Sequence, residues 1–211
     1  MQINEILKNI SKYAGTPISI IFWLLLIFAF ESPTDGCMTV LSALIHESGH
    51  FLYTLLYLKS PSPPNGVLSG FRIKKKGVMS YGEEMMLYLS GPIANLAFSI
   101  LLLPFFFLSE RFAKEFFIIN IFTMLSNLLP VEGYDGYGAI LAIAQRFGAE
   151  DRARETLCTV SFFLTALMML ISLYLMYYLN GGYWIYAVFS ISAFSFIKKS
   201  LNSQKRRFRE I

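Results

Sequence analysis

The sequence predicts an all-α polytopic membrane protein, and its composition and its pattern of apolar stretches both support this class. Hydrophobic residues make up 55% of the 211 residues and charged residues only 15%, and the mean hydropathy is +0.52. A soluble domain carries about 25% charged residues. Apolar stretches long enough to cross a bilayer also recur along the chain. A soluble enzyme is therefore not the expected class.

Six apolar stretches are the predicted transmembrane helices, because about 20 helical residues cross a bilayer. They are residues 17–30, 39–58, 86–108, 116–131, 157–179 and 183–197. The first and last are short, but tilt and interfacial Tyr or Trp absorb a mismatch of a few ångströms. No short apolar core with a small-residue cleavage site occurs near the N-terminus, so the first stretch is expected to be an uncleaved anchor.

The loop 59–84, between the second and third stretches, contains three prolines and Asn65-Gly66. Residues 67–80 then alternate partly between apolar and polar, which predicts a small β-hairpin. A solvated basic loop is an equal alternative.

Basic residues predict the orientation. All but two of the 18 Lys and Arg residues, Arg111 and Lys114, lie on one side of the predicted helices. Because positive residues collect in short cytoplasmic loops, both termini of this multi-pass cell-membrane protein are expected in the cytoplasm. The basic tail 198–211 directly follows a predicted span and has no nucleic-acid recognition pattern beside it, so anionic lipid is its expected partner.

Both histidines lie in the sequence His46-Glu47-Ser48-Gly49-His50, within the second apolar stretch. Residues four apart stand on one face of a helix, so the two imidazoles can bind one zinc ion. Glu47 is then the candidate base for an attacking water. The alternative is a polar cluster that only snorkels or pairs in a bundle. It is disfavoured because each ionisable group at membrane depth costs about 2.5–3.5 kcal/mol on insertion scales.

A catalytic zinc usually has three protein ligands, and the chain contains no third histidine. Asp135 is the best candidate, because Pro130 and nearby glycines break the fourth stretch close to its inner end. An ordinary Asp135-Gly136 turn outside the membrane is an equal alternative. The competing carboxylates are Glu132, Glu83 and Glu84. The last two suit solvated charges at the start of a helix.

Together the two motifs resemble the site-2 proteases, membrane metallopeptidases that cut transmembrane substrates. That family shares an HExxH helix with a later Asn-x-x-Pro-x-x-x-x-Asp-Gly segment. The matching positions are His46, Glu47, His50, Asn127, Pro130, Asp135 and Gly136. The resemblance implies that His46, His50 and Asp135 bind zinc. It also implies that Glu47 is the catalytic base.

The resemblance covers residues 39–140 firmly, and it is nearest to the compact bacterial type that processes sporulation factors. Gly91 and Asn95 belong to a segment similar to the family's Gly-Pro-x-x-Asn, and we expect them to pack beside the metal helix or to support the ligands. Asn127 is expected to bind unwound substrate backbone, or else to satisfy the broken end of its own helix.

The sequence thus predicts one membrane-embedded domain, residues 1–211, that uses one Zn²⁺ ion to hydrolyse a peptide bond in or near a transmembrane segment. The expected partners are a transmembrane substrate and membrane lipid; the sequence leaves room for a regulatory membrane partner and does not indicate an oligomeric state. One alternative is a non-catalytic protein that binds transmembrane clients, against which the intact Glu47 argues. A metal transporter would need ligands distributed over more spans.

Overall fold

The computed structural model describes residues 21, 24–25, 27–29, 31–57, 65–67, 70–72, 79–107 and 110–179. Its α-helices within the described residues from 33 onward are α1 (Pro33–Leu56), α2 (Tyr81–Leu102), α3 (Glu110–Asn127), α4 (Asp135–Arg146) and α5 (Glu150–Leu179). A 3₁₀ helix, Leu103–Phe107, follows α2. The described residues of the first predicted span are helical, whereas the sixth span and the basic tail lie outside the described residues.

Local capping interactions determine where α1 and α2 begin. The Ser32 hydroxyl accepts a hydrogen bond from the Asp35 amide at 3.2 Å, and Pro33 occupies the first helical position, so α1 begins before the predicted stretch 39–58. Ser80 and Glu83 form a capping box at the start of α2, with the Ser80 amide donating to the Glu83 carboxylate at 2.8 Å. Glu83 is therefore a helix-capping residue.

A short antiparallel hairpin lies in the loop between α1 and α2. Strand β1 (Asn65–Val67) pairs with β2 (Gly70–Arg72), and Gly66 is opposite Phe71. This is the small hairpin that the sequence predicts within 59–84. It is the one sheet in the described part of an otherwise helical chain.

The described residues have a polar interior and an apolar exterior. The polar residues Ser42, Asn95, Asn120 and Ser161 are fully buried, at 0% relative exposure. Large apolar side chains face outward instead; Phe163, for example, is 66% exposed. A soluble protein has the reverse distribution. A protein surrounded by lipid exposes apolar side chains and keeps its polar groups paired inside.

Two of the described helices are long and apolar enough to cross a membrane, Tyr81–Phe105 and Glu150–Tyr174. Only 28% and 22% of their most apolar windows are buried inside the protein, whereas the core helix of a soluble protein is mostly buried. They correspond to the predicted third and fifth spans. The all-α class is thus supported, and the number of six spans stays a prediction.

Helix α2 is the centre of the assembly, since α1, α3 and α4 all pack against it, and α5 packs on α4. The predicted fourth stretch, 116–131, extends too far: α3 ends at Asn127, before Pro130. An irregular segment, 128–134, then leads into α4. Helix α4 was not predicted, because it lies between the fourth and fifth apolar stretches. This geometry brings the start of α4 against the middle of α1 and α2.

Candidate metal centre

Three side chains converge between α1 and α4. His46 Nε2 lies 2.9 Å from Asp135 Oδ2, His50 Nε2 lies 3.2 Å from the same oxygen, and the two nitrogens are 3.2 Å apart. A tetrahedral zinc ion with bonds of about 2.0–2.1 Å keeps its ligand atoms about 3.3 Å from one another. The triangle therefore has the size that one zinc ion requires.

Hydrogen bonds at the far side of each imidazole determine which nitrogen carries the proton. His50 Nδ1 is 2.8 Å from the Leu87 carbonyl oxygen, which can only accept, so Nδ1 donates and Nε2 keeps a free lone pair. His46 Nδ1 is 2.8 Å from Asn95 Oδ1, another acceptor. Such outer hydrogen bonds orient the histidine ligands of metal sites. Both Nε2 atoms are therefore ready to bind a cation.

The third ligand atom supplies an independent test of this assignment. Asp135 Oδ2 is buried and has no hydrogen-bond partner, although His46 Nε2 is close. A proton on one Nε2 would let that nitrogen donate to Asp135 Oδ2. The other Nε2 and Asp135 Oδ2 would still be two acceptors facing each other. A cation at the centre of the triangle satisfies all three, so the residues fit a bound zinc ion.

Gly91 of α2 lies directly in front of the two ligand nitrogens. A Cβ atom at this position would be 2.5 Å from His50 Nε2 and 2.7 Å from His46 Nε2. Gly49 of α1 also lies close to α2, because a Cβ atom at this position would overlap the Ser90 carbonyl oxygen. These glycines allow α1 and α2 to approach closely. Gly91, predicted as a packing or supporting residue, also keeps the space for the ion open.

Asp135 is presented by the irregular segment 128–134 and forms the first turn of α4. Gly133 has a φ of 102°, which favours glycine. A Cβ atom on Gly136 would overlap the Leu128 carbonyl oxygen, so only glycine lets α4 pack against the end of α3. The predicted roles of Pro130 and Gly136 in shaping this segment are consistent with the geometry.

Ser161 of α5 holds the same segment from the other side. Its hydroxyl donates to the Pro130 carbonyl oxygen at 3.0 Å and accepts from the Glu132 amide at 3.1 Å. Ser161 is fully buried. Sequence analysis did not identify it, because a single serine in an apolar helix gives no signal of the distant backbone groups it contacts.

The competing carboxylates are not part of the cluster. Among the described residues, the group that could hold a metal consists of His46, His50 and Asp135. The sequence interpretation of Glu84 as a solvated charge is wrong, since it is only 8% exposed. One turn of helix brings it inward from the exposed start of α2.

Glu47 lies beside the three converging side chains, and Asn127 directly precedes the irregular segment 128–134. Glu47 is partly exposed and close enough to His50, His46 and Asp135 for its charge to interact with theirs. Asn127 Nδ2 donates to the Thr123 carbonyl oxygen of its own helix at 2.9 Å. This bond lies within α3, and both roles that the sequence suggested for Asn127 stay predictions.

Comparison with known proteins gives a match among solved structures. No family model and no curated protein matches the chain. Among solved structures, the site-2 protease from Methanocaldococcus jannaschii superimposes with a TM-score of 0.62 and 17% sequence identity. The match covers 87% of this chain and 88% of that one. At this identity the likeness establishes a shared fold, which is the fold expected from the motifs.

Proposed function

We propose that this chain, which has the fold of a site-2 protease, is an intramembrane zinc metalloendopeptidase. The observation that carries the proposal is the triangle of His46 Nε2, His50 Nε2 and Asp135 Oδ2, three atoms that lie within 3.2 Å of one another, with Asp135 Oδ2 buried and without a hydrogen-bond partner. A structural ion pair would not need two histidine lone pairs turned towards one carboxylate. A catalytic zinc site needs three such ligands and an open fourth position.

The chemistry is hydrolysis of a peptide bond. Bound zinc would polarise the scissile carbonyl and lower the pKa of a water molecule. Glu47 removes a proton from that water as it attacks the carbonyl carbon, and returns the proton to the leaving amine. Its position beside the three ligands and its partial exposure suit a base that meets both water and substrate. Gly91 leaves room in front of the ligand nitrogens.

The proposed enzyme crosses the membrane six times as one domain, with both termini in the cytoplasm. By helix rise, His46 lies roughly 10 Å from the outer end of the apolar stretch 39–58 and roughly 18 Å from the inner end. The bond that is cut therefore lies within or near a transmembrane segment of the substrate. Water reaches the site from the cytoplasmic side, where Gly133 is exposed.

A transmembrane substrate must unwind locally before it can be cut, because helical amides are hydrogen-bonded and shielded. Helix-breaking residues in the substrate assist this step. The hairpin β1–β2 offers a strand edge to an extended substrate, and we assign Asn127 to contact with the unwound backbone. Membrane lipid surrounds the exposed apolar faces of the helices.

The test compares wild type with Glu47→Gln in detergent, using single-span substrates that contain helix-breaking residues. Loss of the base should lower the cleavage rate about 10²- to 10⁴-fold while zinc content stays unchanged. Glu83→Gln is the matched control. Glu83 lies in an exposed capping box that accepts Gln as well as Glu, so this variant should keep full activity.

The alternative function is a non-catalytic membrane protein that binds transmembrane clients. A wild-type protein that holds zinc, retains clients and cuts none of the helix-destabilised substrates would establish that function instead. A folded protein that binds no zinc would contradict the metal site itself.

A further inference from the structure

Asn120 lies at the centre of a buried polar network that joins α1, α2 and α3. Its side chain is fully buried, and it does not touch the metal ligands. Asn120 Nδ2 donates to the Asn95 carbonyl oxygen at 2.6 Å and to Ser99 Oγ at 2.8 Å. Asn120 Oδ1 accepts from Asn95 Nδ2 at 2.7 Å and from Ser42 Oγ at 2.9 Å. All four hydrogen-bonding directions of this amide are used.

This network has only one consistent orientation. The Asn95 carbonyl oxygen can only accept, so Asn120 must place Nδ2 towards it and Oδ1 towards the Asn95 side chain. Because Asn120 Oδ1 accepts, the Asn95 side chain must turn its Nδ2 towards that atom. The Ser42 carbonyl oxygen, 3.2 Å from Asn95 Nδ2, requires the same orientation of the Asn95 amide. Asn95 Oδ1 is thereby left facing His46 Nδ1.

The orientation of Asn95 decides whether His46 can bind a metal. If the amide turned over, its Nδ2 would face His46 Nδ1 and make that nitrogen an acceptor. The imidazole proton would then move to Nε2, the atom that faces Asp135 and His50. Without Asn120, Asn95 Nδ2 keeps only its longer contacts to Ser42, with the carbonyl oxygen at 3.2 Å and with Oγ at 3.3 Å, and the hydroxyl can reorient if the amide turns.

We propose that Asn120 is a positioning residue that keeps His46 Nε2 free for the metal by fixing the amide of Asn95. Its action passes from α3 through α2 to α1, without contact with metal or substrate. The inference rests on the metal site of the proposed function. It concerns how the site binds zinc, however, and does not depend on whether the protein cleaves a substrate.

The test is a double-mutant cycle of Asn120→Leu and Asn95→Leu, read by zinc affinity in competition with a chelator and by the absorption spectrum of the Co²⁺-substituted protein. Each single variant should lose about 10- to 100-fold in zinc affinity, the effect of removing an outer partner of a metal ligand. If Asn120 acts through Asn95, then Asn120→Leu should cause no further loss in the Asn95→Leu protein. The absorption spectrum of the Co²⁺-substituted protein should change in the same way in Asn120→Leu and in Asn95→Leu.

Ser99→Ala is the control, because it removes one contact of Asn120 at the same depth while both hydrogen bonds to Asn95 remain. Its zinc affinity should stay within about threefold of wild type, since the Asn95 amide keeps its orientation. If Asn120→Leu does not fold, Asn120→Ser takes its place in the cycle, because its shorter side chain cannot reach Asn95 Nδ2.

Losses that add in the double variant, or zinc affinity within threefold of wild type for the single Asn120 variant, would overturn the proposal. A wild type that binds zinc but cleaves nothing would overturn the proposed function and leave this inference intact.

Discussion

The two halves of the proposed metal centre are held in different ways. His46 and His50 stand one turn apart on α1, and each Nδ1 donates to an acceptor on α2. Asp135 instead follows the irregular segment 128–134, whose backbone is held by Ser161 of α5. The position of the histidine half, His46 and His50, thus depends on the tight packing of α1 against α2. The position of the aspartate half, Asp135, depends on how α3, α4 and α5 pack together.

This difference leads to separate expectations for the two halves. A change at the histidine half should remove metal binding while the fold survives, because α1 and α2 keep their other contacts. A change at the aspartate half should lower metal affinity and stability together, because the same hydrogen bonds hold the loop and aim the ligand.

The largest effect is expected for Gly91→Ala. The added Cβ would lie within 2.5 Å of His50 Nε2 and 2.7 Å of His46 Nε2, so the ion would be displaced. Zinc affinity should fall by more than the ~10- to 100-fold lost with an outer partner. Metal analysis of purified protein measures this. Gly82→Ala is the control in the same helix, because a Cβ there meets nothing within 4 Å. Stoichiometric zinc in Gly91→Ala would contradict the geometry.

An intermediate effect is expected for Gly136→Ala. Its Cβ would overlap the backbone of Leu128, so α4 must move away from α3 and carry Asp135 with it. A displacement of about 1 Å should lower the cleavage rate about 100-fold, and the metal-free protein should also unfold at a lower temperature. Gly138→Ala should be milder, because the atoms it meets belong to the movable Tyr88 ring. Equal losses in both variants would refute the assigned role of Gly136.

The smallest effect is expected for Ser161→Ala. The Glu132 amide and the Pro130 carbonyl oxygen would lose their partner, which should lower the free energy of unfolding by about 1–3 kcal/mol and weaken zinc binding several-fold. Ser172→Ala is matched in helix and burial, but its hydroxyl bonds only the Met169 carbonyl oxygen of the same helix. Denaturant unfolding with and without zinc measures both effects. Zinc should stabilise Ser161→Ala less than wild type, whereas it should stabilise Ser172→Ala as much as wild type.

The sequence predicted the histidine half well and the aspartate half only partly. His46 and His50 are four residues apart, so helix geometry alone brings them together. Asp135 was suggested by the break at Pro130 and then by the resemblance of its motif, whereas its contact with α1 depends on the close packing that Gly136 permits. Asn120 was not predicted, because its position within the apolar stretch 116–131 does not show which buried groups of other helices it contacts.

The fold shows the same division. The apolar stretches predicted the long helices. The residues at which α1 and α2 begin are instead determined by the N-caps Ser32 and Ser80, and hydropathy does not measure capping. Helix α4 was missed because it is short and follows a proline- and glycine-containing break. Its position is set by packing on α2 and α5, and such tertiary contacts leave no periodic pattern in a single sequence.

The contact of Ser161 with the irregular segment also has a consequence for the order of events during synthesis. A growing chain inserts α1, with both histidines, long before α5 has left the ribosome. Until α5 docks, the backbone on either side of Val131 lacks its two hydrogen bonds to Ser161, and the aspartate ligand is held less firmly. A nascent chain therefore acquires the hydrogen bonds of Ser161 late, after both histidines and Asp135 have been synthesised. In the proposed protease, this order of assembly would keep zinc binding weaker, and peptide-bond cleavage slower, until α5 has docked.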